Sequence, residues 1–494
     1  MKKTVRTVAG RHRSTAAKLG ATIAAGCILT AAGLVAATPA QAAVSTPTLK
    51  WNIVVSSKAI ALSSPMVATL DSSGQSAVVG SRLGYEYAVH LSDGKTVAGW
   101  PQSTGGVPVD STASVLGSGS SAKVFFGEGN SSSKTRGGIR ARSANGSTLW
   151  TKTPNALPGK GTTGVMGSLS IGNLQSGNDV VGGSMGQMQD MVTSTGTMGV
   201  GFPWFQADSN FSTPALADPT NSGHDEIIEG GDSTKGNAYN TVYGNGGHIR
   251  ILSRTGNAGA SKPSGGLKCQ YNTNQTVYSS PAVGHFFGGG DFGITVGTGA
   301  YYKGVSDTGK EIAVDNNCKL RWQTKLNGIT DSSPALANIM GTGALSVIQG
   351  TRLSAYNGRV YAMSGVTGHI QWATAIPGGV YGGVTTADLG TGYQDVIVPT
   401  PAGVYILDGK TGKQVMRLAA GYGFQNAALV TKESDGHVGL TVAGYNGHGQ
   451  GVMLHYDFPN TNGSTVTAAG SWPMFHHDQK LTGNADRPVL NPIS

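Results

Sequence analysis

The sequence predicts an all-β protein made of eight copies of one four-stranded unit, and three observations predict it. A short pattern recurs: Ser-Ser-Pro, an apolar run, a Gly-broken loop, a second apolar run, then Gly with a small neighbour. A hairpin signal follows in the second half of the unit. A tryptophan then stands at a fixed distance ahead of the next copy. Regular repeats of this length are the signature of stacked supersecondary units such as propeller blades or solenoid turns.

The first 42 residues form a separate segment. Residues 1–18 are a basic leader, residues 19–37 are apolar, and "TPAQA" ends in small residues, which together read as a signal peptide cleaved after Ala42. The leader holds six of the 35 basic residues, leaving 29 against 26 acidic ones, a balance of +3. No basic run remains to track a phosphate backbone, which excludes nucleic acid as the partner. No later stretch reaches the length of a membrane span. The expected product, 43–494, is a secreted monomer with a single domain.

Four strong copies begin at Ser63, Ser212, Ser279 and Ser332, and weaker ones at Ser111, Gly167, Gly382 and Gln425. Pro directly ahead of a strand costs no ladder bond, and small Ser side chains suit a place where strands converge. "SSPAL" therefore starts the innermost strand. The Thr367-Gly368 turn and the "DGKTG" turn supply the second hairpin, because Gly adopts positive φ without a steric cost. Trp322 lies twelve residues before Pro334, and Trp372 twelve before Val384, so a fourth strand carries an aromatic that fills the gap between twisted sheets. An eight-bladed β-propeller follows, with seven blades and a degenerate copy as the alternative. Two segments compete to close the ring: "LKWNIVV" around Trp51 and the C-terminal 471–486, which contains "SWPMFHHD". One is expected to close it and the other to pack outside.

Two cysteines follow the leader. An even pair in an exported chain reads as a disulfide, Cys269–Cys318, or otherwise as two buried thiols. Cys269 lies twelve residues before Pro281, at the tryptophan position, so a bridge would tie neighbouring blades at the rim.

The Ser-Ser-Pro-Ala strand, the Asp/Gly loop, "VYAMS", "VYILD" and the terminal "WPMFHHD" resemble FG-GAP/VCBS-type and PQQ-like propeller repeats, from about Lys50 to Asp486. The resemblance implies calcium at some loops between first and second strands. Asp218 and Asp225 in "DPTNSGHD", and Asp388 and Asp395 in "DLGTGYQD", keep two carboxylates each in loops one residue shorter than the family form. Calcium is thus expected at one or two loops at most, and no cofactor is required. PQQ is not expected, since the adjacent cysteines and the Glu/Asn/Asp set of such dehydrogenases are missing.

No catalytic residue stands out. "FHHD" at 475–478 reads as a terminal strand whose His and Asp satisfy backbone groups, because neighbouring residues on a strand face opposite ways and would not converge on a metal. "GGSMG" around Ser184 lacks the strand-to-helix turn of a nucleophile elbow. The units swell instead between second and third strands, where Tyr239, Tyr243, Tyr301, Tyr302 and Tyr356 sit among Gly, Ser and Asn. Tyrosine supplies rigid contact area with a hydroxyl, and small polar neighbours adapt their hydrogen bonds. The expected function is non-catalytic binding of a polysaccharide or an extracellular protein through these loops. A carbohydrate-active lyase or hydrolase and a structural scaffold are the alternatives.

Overall fold

The computed structural model describes residues 43–490 except 131–135, 155–161, 207, 234–245, 257–265 and 300–308. Eight four-stranded antiparallel sheets make eight blades of a β-propeller. Their first strands are Met66–Asp71, Ser114–Leu116, Ser170–Gly172, Ala215–Ala217, Ala282–Gly284, Ala335–Ala337, Thr385–Ala387 and Leu429–Lys432, numbered here as blades 1 to 8. Each first strand neighbours those of the adjacent blades around a central channel. No helix among the described residues is long and apolar enough to cross a membrane.

The doubled serine has two separate tasks. The first position bonds within its blade: Ser63 Oγ accepts from Gly80 N at 2.9 Å, Ser111 Oγ from Gly127 N at 3.0 Å, and Ser279 Oγ from Gly297 N at 3.2 Å. The second position bonds between blades. Ser64 N donates to Thr112 Oγ1, Thr112 N to Ser168 Oγ, and Ser168 N to Thr213 Oγ1, at 2.9, 2.9 and 3.1 Å. Thr213 N continues to Ser280 Oγ and Ser280 N to Ser333 Oγ, both at 3.0 Å. Ser333 N meets the Gly382 carbonyl at 2.9 Å, and Ala427 N returns to Ser64 Oγ at 3.1 Å. A hydroxyl on each of blades 1 to 6 thus receives the amide of the blade before it, and on blade 7 the Gly382 carbonyl does so. The glycine opposite the first serine is needed for close approach: a Cβ on Gly350 would lie 2.3 Å from Val380 Cγ1 on the linker to the next blade.

The outer rim repeats the same logic with indoles. Trp51, Trp100, Trp150, Trp322 and Trp372 each donate Nε1–H to a carbonyl on the next blade, those of Leu91, Ala144, Ser194, Gly365 and Gly409, at 2.8–3.1 Å. The Trp322 ring lies over the turn glycine Gly368, which has φ +70° and whose added Cβ would meet the ring at 2.5 Å. Between blades 4 and 5 a disulfide replaces this contact. Cys269 takes the tryptophan position, and Cys318, with φ +57°, takes the turn position.

The two terminal segments divide the work differently from the expectation. Thr48–Ser56 pairs with Gly451–Phe458 and completes blade 8 as its outermost strand. The C-terminal segment runs inside the ring instead of outside it, because the first strands leave unpaired edges facing the channel. Its carbonyls at Gly470, Trp472 and Pro473 accept from Asn338 N, Thr386 N and Val430 N on blades 6, 7 and 8. Those at Gln479, Lys480, Thr482 and Gly483 then accept from Val115, Ile171, Leu216 and Val283 on blades 2 to 5. The segment makes one lap of the channel and fills its lower end. Trp472, Met474 and Leu481 are buried there.

Removing one hydroxyl from the inner ring leaves a buried amide without an acceptor. Thr112→Val is expected to lower unfolding stability by about 1–3 kcal/mol, read by denaturant titration. Cys269→Ala with Cys318→Ala should cost up to about 4 kcal/mol for a bridge closing a 49-residue separation. Cys269→Trp with Cys318→Gly, which installs the contact used elsewhere, is expected to melt higher than the double alanine.

Candidate binding cavity at the channel mouth

In each blade the first strand starts, and the second strand ends, on one face of the ring. The residue just before each doubled-serine position therefore lies at the channel mouth on that face. These residues are Leu62, Asp110, Met166, Phe211, Tyr278, Asp331, Tyr381 and Gln425, one from each blade, and all eight line a cavity of about 430 Å³. The ring hydroxyls of Ser64, Thr112, Ser168, Thr213, Ser280 and Ser333 line it too, and Phe475 of the C-terminal lap joins the wall. Its volume falls within the range of small-molecule sites.

The rim is chemically uneven. Met166, Phe211 and Tyr278 form an apolar arc on blades 3 to 5, where Phe211 and Tyr278 meet edge to face at 5.0 Å. Asp110 on blade 2 and Asp331 on blade 6 stand four blades apart, across the channel. Arg82 holds Asp110 with both oxygens, Nε–Oδ1 at 3.0 Å and Nη2–Oδ2 at 3.1 Å. Arg352 holds Asp331 through Oδ2, with Nε at 3.0 Å, and lies 5.2 Å over the Tyr381 ring. Behind the apolar arc, buried Arg250 bonds Glu229 Oε1 at 3.3 Å and the Gln206 carbonyl at 2.9 Å. Asn210, which precedes Phe211, donates to the other oxygen of Glu229 at 3.4 Å and so helps fix the rim. Both rim carboxylates are paired with guanidinium groups, Asp110 through both oxygens and Asp331 through one.

The residues singled out in the sequence are distributed differently. Tyr239, Tyr243, Tyr301 and Tyr302 lie outside the described residues. Tyr356 is 81% exposed in the turn between Ser346–Arg352 and Asn357–Ser364, on the same face as the cavity. The four aspartates belong to the opposite face. Asp218 turns back on its own loop, accepting from Ser222 N at 2.8 Å and Gly223 N at 2.6 Å. Burial pushes its carboxyl up, but these amide bonds win and hold it below the usual range. Asp225 accepts from Asn173 N at 2.7 Å and pairs with Arg487 of the C-terminal segment. Asp388 accepts from Gly390 N and Gly392 N at 3.0 and 2.9 Å. Asp395 is buried, bonded by Thr391 Oγ1 at 2.9 Å, and burial pushes its carboxyl up to about 7. The two carboxylates of each loop thus face different partners, unlike the convergent oxygens of a calcium site.

Convergent donors occur elsewhere, in a group the sequence reading missed. Asp435, His437 and Asp457 in blade 8 place one ligand atom each within 4.8 Å of the others, and this cluster could hold a metal ion. Its sequence signal was "SDGH", one more Gly turn among many. Lys50 Nζ also sits 3.5 Å from Asp457 Oδ2.

"FHHD" forms a tight turn of the lap, not a strand, with positive φ at His476 and His477. The His476 ring nitrogens face the carbonyls of Leu481 at 2.6 Å and Pro281 at 3.0 Å, and burial lowers its pKa to about 4. Asp478 accepts from Lys480 N at 2.8 Å. The cluster satisfies backbone groups, as its sequence suggested. Ser184 is fully buried and accepts from Gly186 N at 3.2 Å, which leaves it no nucleophilic role.

No family model matches the chain, and no curated protein matches it. Solved structures do. The V. cholerae biofilm matrix protein Bap1 overlays with a TM-score of 0.59 at 13% identity, covering 87% of this chain and 94% of that one. Saccharomyces cerevisiae Sqt1 gives 0.56 at 8% identity, covering 84% and 100%. The Dos1 propeller gives 0.51 at 11% identity, covering 84% and 96%. At these identities the likeness establishes the β-propeller fold and leaves the repeat family and the ligand open.

Asp395 also sets a pH dependence. Its folded pKa of about 7 exceeds the unfolded value near 3.9, so the folded state holds the proton more tightly. The contribution to stability is complete below the unfolded value and is lost as pH rises through about 7. Asp395→Asn is expected to match the parent protein near pH 4 and to exceed it by a few kcal/mol at most near pH 8, measured by urea unfolding.

Proposed function

We propose that the chain is a secreted, non-catalytic binding propeller that recognises a polysaccharide or a surface protein through the face bearing the cavity and the loops between second and third strands. The observation that carries this reading is the rim. Eight residues, one per blade, present aromatic faces and two Arg–Asp pairs around a cavity. Aromatic rings offer stacking area to sugar faces or to apolar side chains, and the paired charges offer directed hydrogen bonds at no net charge. The fold is shared with a biofilm matrix protein, which agrees with an extracellular setting but brings no ligand with it.

The test is retention of the mature protein on insoluble polysaccharides and purified cell wall, with analysis of soluble products. Retention without released oligosaccharide is expected. Tyr278→Ala with Tyr381→Ala should reduce it at least about tenfold, equivalent to about 1.4 kcal/mol. Tyr301→Ala with Tyr302→Ala tests the loop contribution. Released oligosaccharide would make the protein an enzyme instead, and absence of retention on every matrix would favour a scaffold.

Metal binding is a secondary part of the proposal. Its carrier is the Asp435–His437–Asp457 cluster in preference to the loop aspartates, because among the described residues this cluster brings three donors together. A ligand of the native state raises the melting temperature. A rise in Ca²⁺ or Zn²⁺ over chelator is expected to vanish in Asp457→Asn and to persist in Asp218→Asn. The opposite pattern would return the site to the loops.

A further inference from the structure

Taking the cavity-bearing face as the binding face, which is the reading proposed above, we infer that its ligand is the end of a glycan chain, inserted terminal residue first. The cavity is blind. Beneath it the C-terminal lap is bonded by carbonyls to seven of the eight first strands, and Trp472, His476, His477 and Leu481 are buried in the lower channel. A chain cannot thread through. A mid-chain segment would cross the rim without reaching the groups below it, whereas a chain end can descend to them.

Those lower groups are donors. Each of the six ring hydroxyls, from Ser64, Thr112, Ser168, Thr213, Ser280 and Ser333, accepts an amide N–H from the neighbouring blade. Among the described residues none of them passes its own proton to a protein acceptor, so six O–H groups converge on one cavity of about 430 Å³. Accepting an N–H polarises a hydroxyl and strengthens it as a donor. A matching ligand carries many oxygens in a small volume. Acceptors for its own hydroxyls are available higher up: both bonds from Arg352 go to Asp331 Oδ2, which leaves Oδ1 unbonded among the described residues. The aromatic pair of Phe211 and Tyr278, with Tyr381 two blades beyond Tyr278, borders the entrance and suits stacking against a sugar ring. Depth, donor count and aromatic rim together select a terminal sugar, whose free hydroxyls outnumber those of an internal residue.

The experiment uses amorphous cellulose, chitin, mannan and purified cell wall, each retained fraction being challenged with soluble fragments made from the same material by partial acid hydrolysis and sorted by length. Recognition of ends predicts that short and long fragments compete equally per mole of chains. Gln425→Trp, which crowds the rim without touching the hydroxyl ring, should abolish retention at an unchanged melting temperature. Tyr381→Ala, which removes bulk, provides a second rim variant should Gln425→Trp fold poorly. Val366→Ala, on the exposed turn between the third and fourth strands of blade 6 on the opposite face, should bind as before.

Competition that strengthens with fragment length per mole would overturn the inference while sparing the binding face. So would loss of retention in Tyr356→Ala with Gln425→Trp unaffected. Retention on cell wall that disappears after protease treatment of the wall would make the ligand a protein and overturn it as well. If no matrix retains the protein, the binding reading falls and the inference falls with it.

Discussion

Everything in this ring depends on how eight strand edges are satisfied around one axis. The innermost strand of a blade has a partner on its outer side only, and its inner amides face a channel too narrow for another sheet. An unpaired edge buried in this way is costly and invites mispairing. The chain meets the problem at two levels. At the upper level a side-chain hydroxyl takes the amide at six of the eight junctions, which ties blade to blade as it does so. Three residues further along, at Val115, Ile171, Leu216, Val283, Thr386 and Val430, the carbonyls of the C-terminal lap take it instead. Ser or Thr, placed at one position in six of the eight repeats, thereby satisfies inner amides and joins the blades in one step.

Much of this was legible in the sequence because it is periodic. The doubled serines, the turn glycines and the tryptophans recur at fixed offsets, and Cys269 could be placed at a tryptophan position by counting alone. What the period does not carry was harder to read. The lap has no repeat, since each of its carbonyls meets a different blade, so "WPMFHHD" looked like a spare strand. The hydroxyl ring was visible as small residues where strands converge, but its direction from one blade to the next is a property of geometry. The rim residues were within reach. They directly precede the doubled serines, yet they share no chemistry, and a search for similarity passes over positions whose value lies in their difference. Attention went instead to the tyrosines of the swollen loops.

The contrast between the layers explains how a uniform scaffold can carry a specific site. The ring hydroxyls are nearly invariant from blade to blade because each must accept the same amide. One residue earlier that demand ends, and the eight blades present Leu, Asp, Met, Phe, Tyr, Asp, Tyr and Gln. Rigid backbone beneath variable side chains is an effective arrangement for recognition, since little ordering cost falls on binding. Asymmetry in the rim therefore arises without disturbing the symmetry that holds it.

The pairing of Thr48–Ser56 with Gly451–Phe458 has a consequence for how the molecule is made. Thr48–Ser56 precedes the other strands of the ring in chain order yet belongs to blade 8, so its partner does not exist until Gly451–Phe458 has been synthesised. The lap that satisfies the inner edges comes later still. Contacts between such distant parts of a chain carry a large loop-closure cost and form slowly. Blades are not independent modules in this respect: a nascent chain, however many complete units it contains, has neither a closed ring nor a covered axis until Gly451–Phe458 and the lap at 470–483 have emerged. Closure of the ring therefore waits on the last strand of blade 8 and on the lap that follows it.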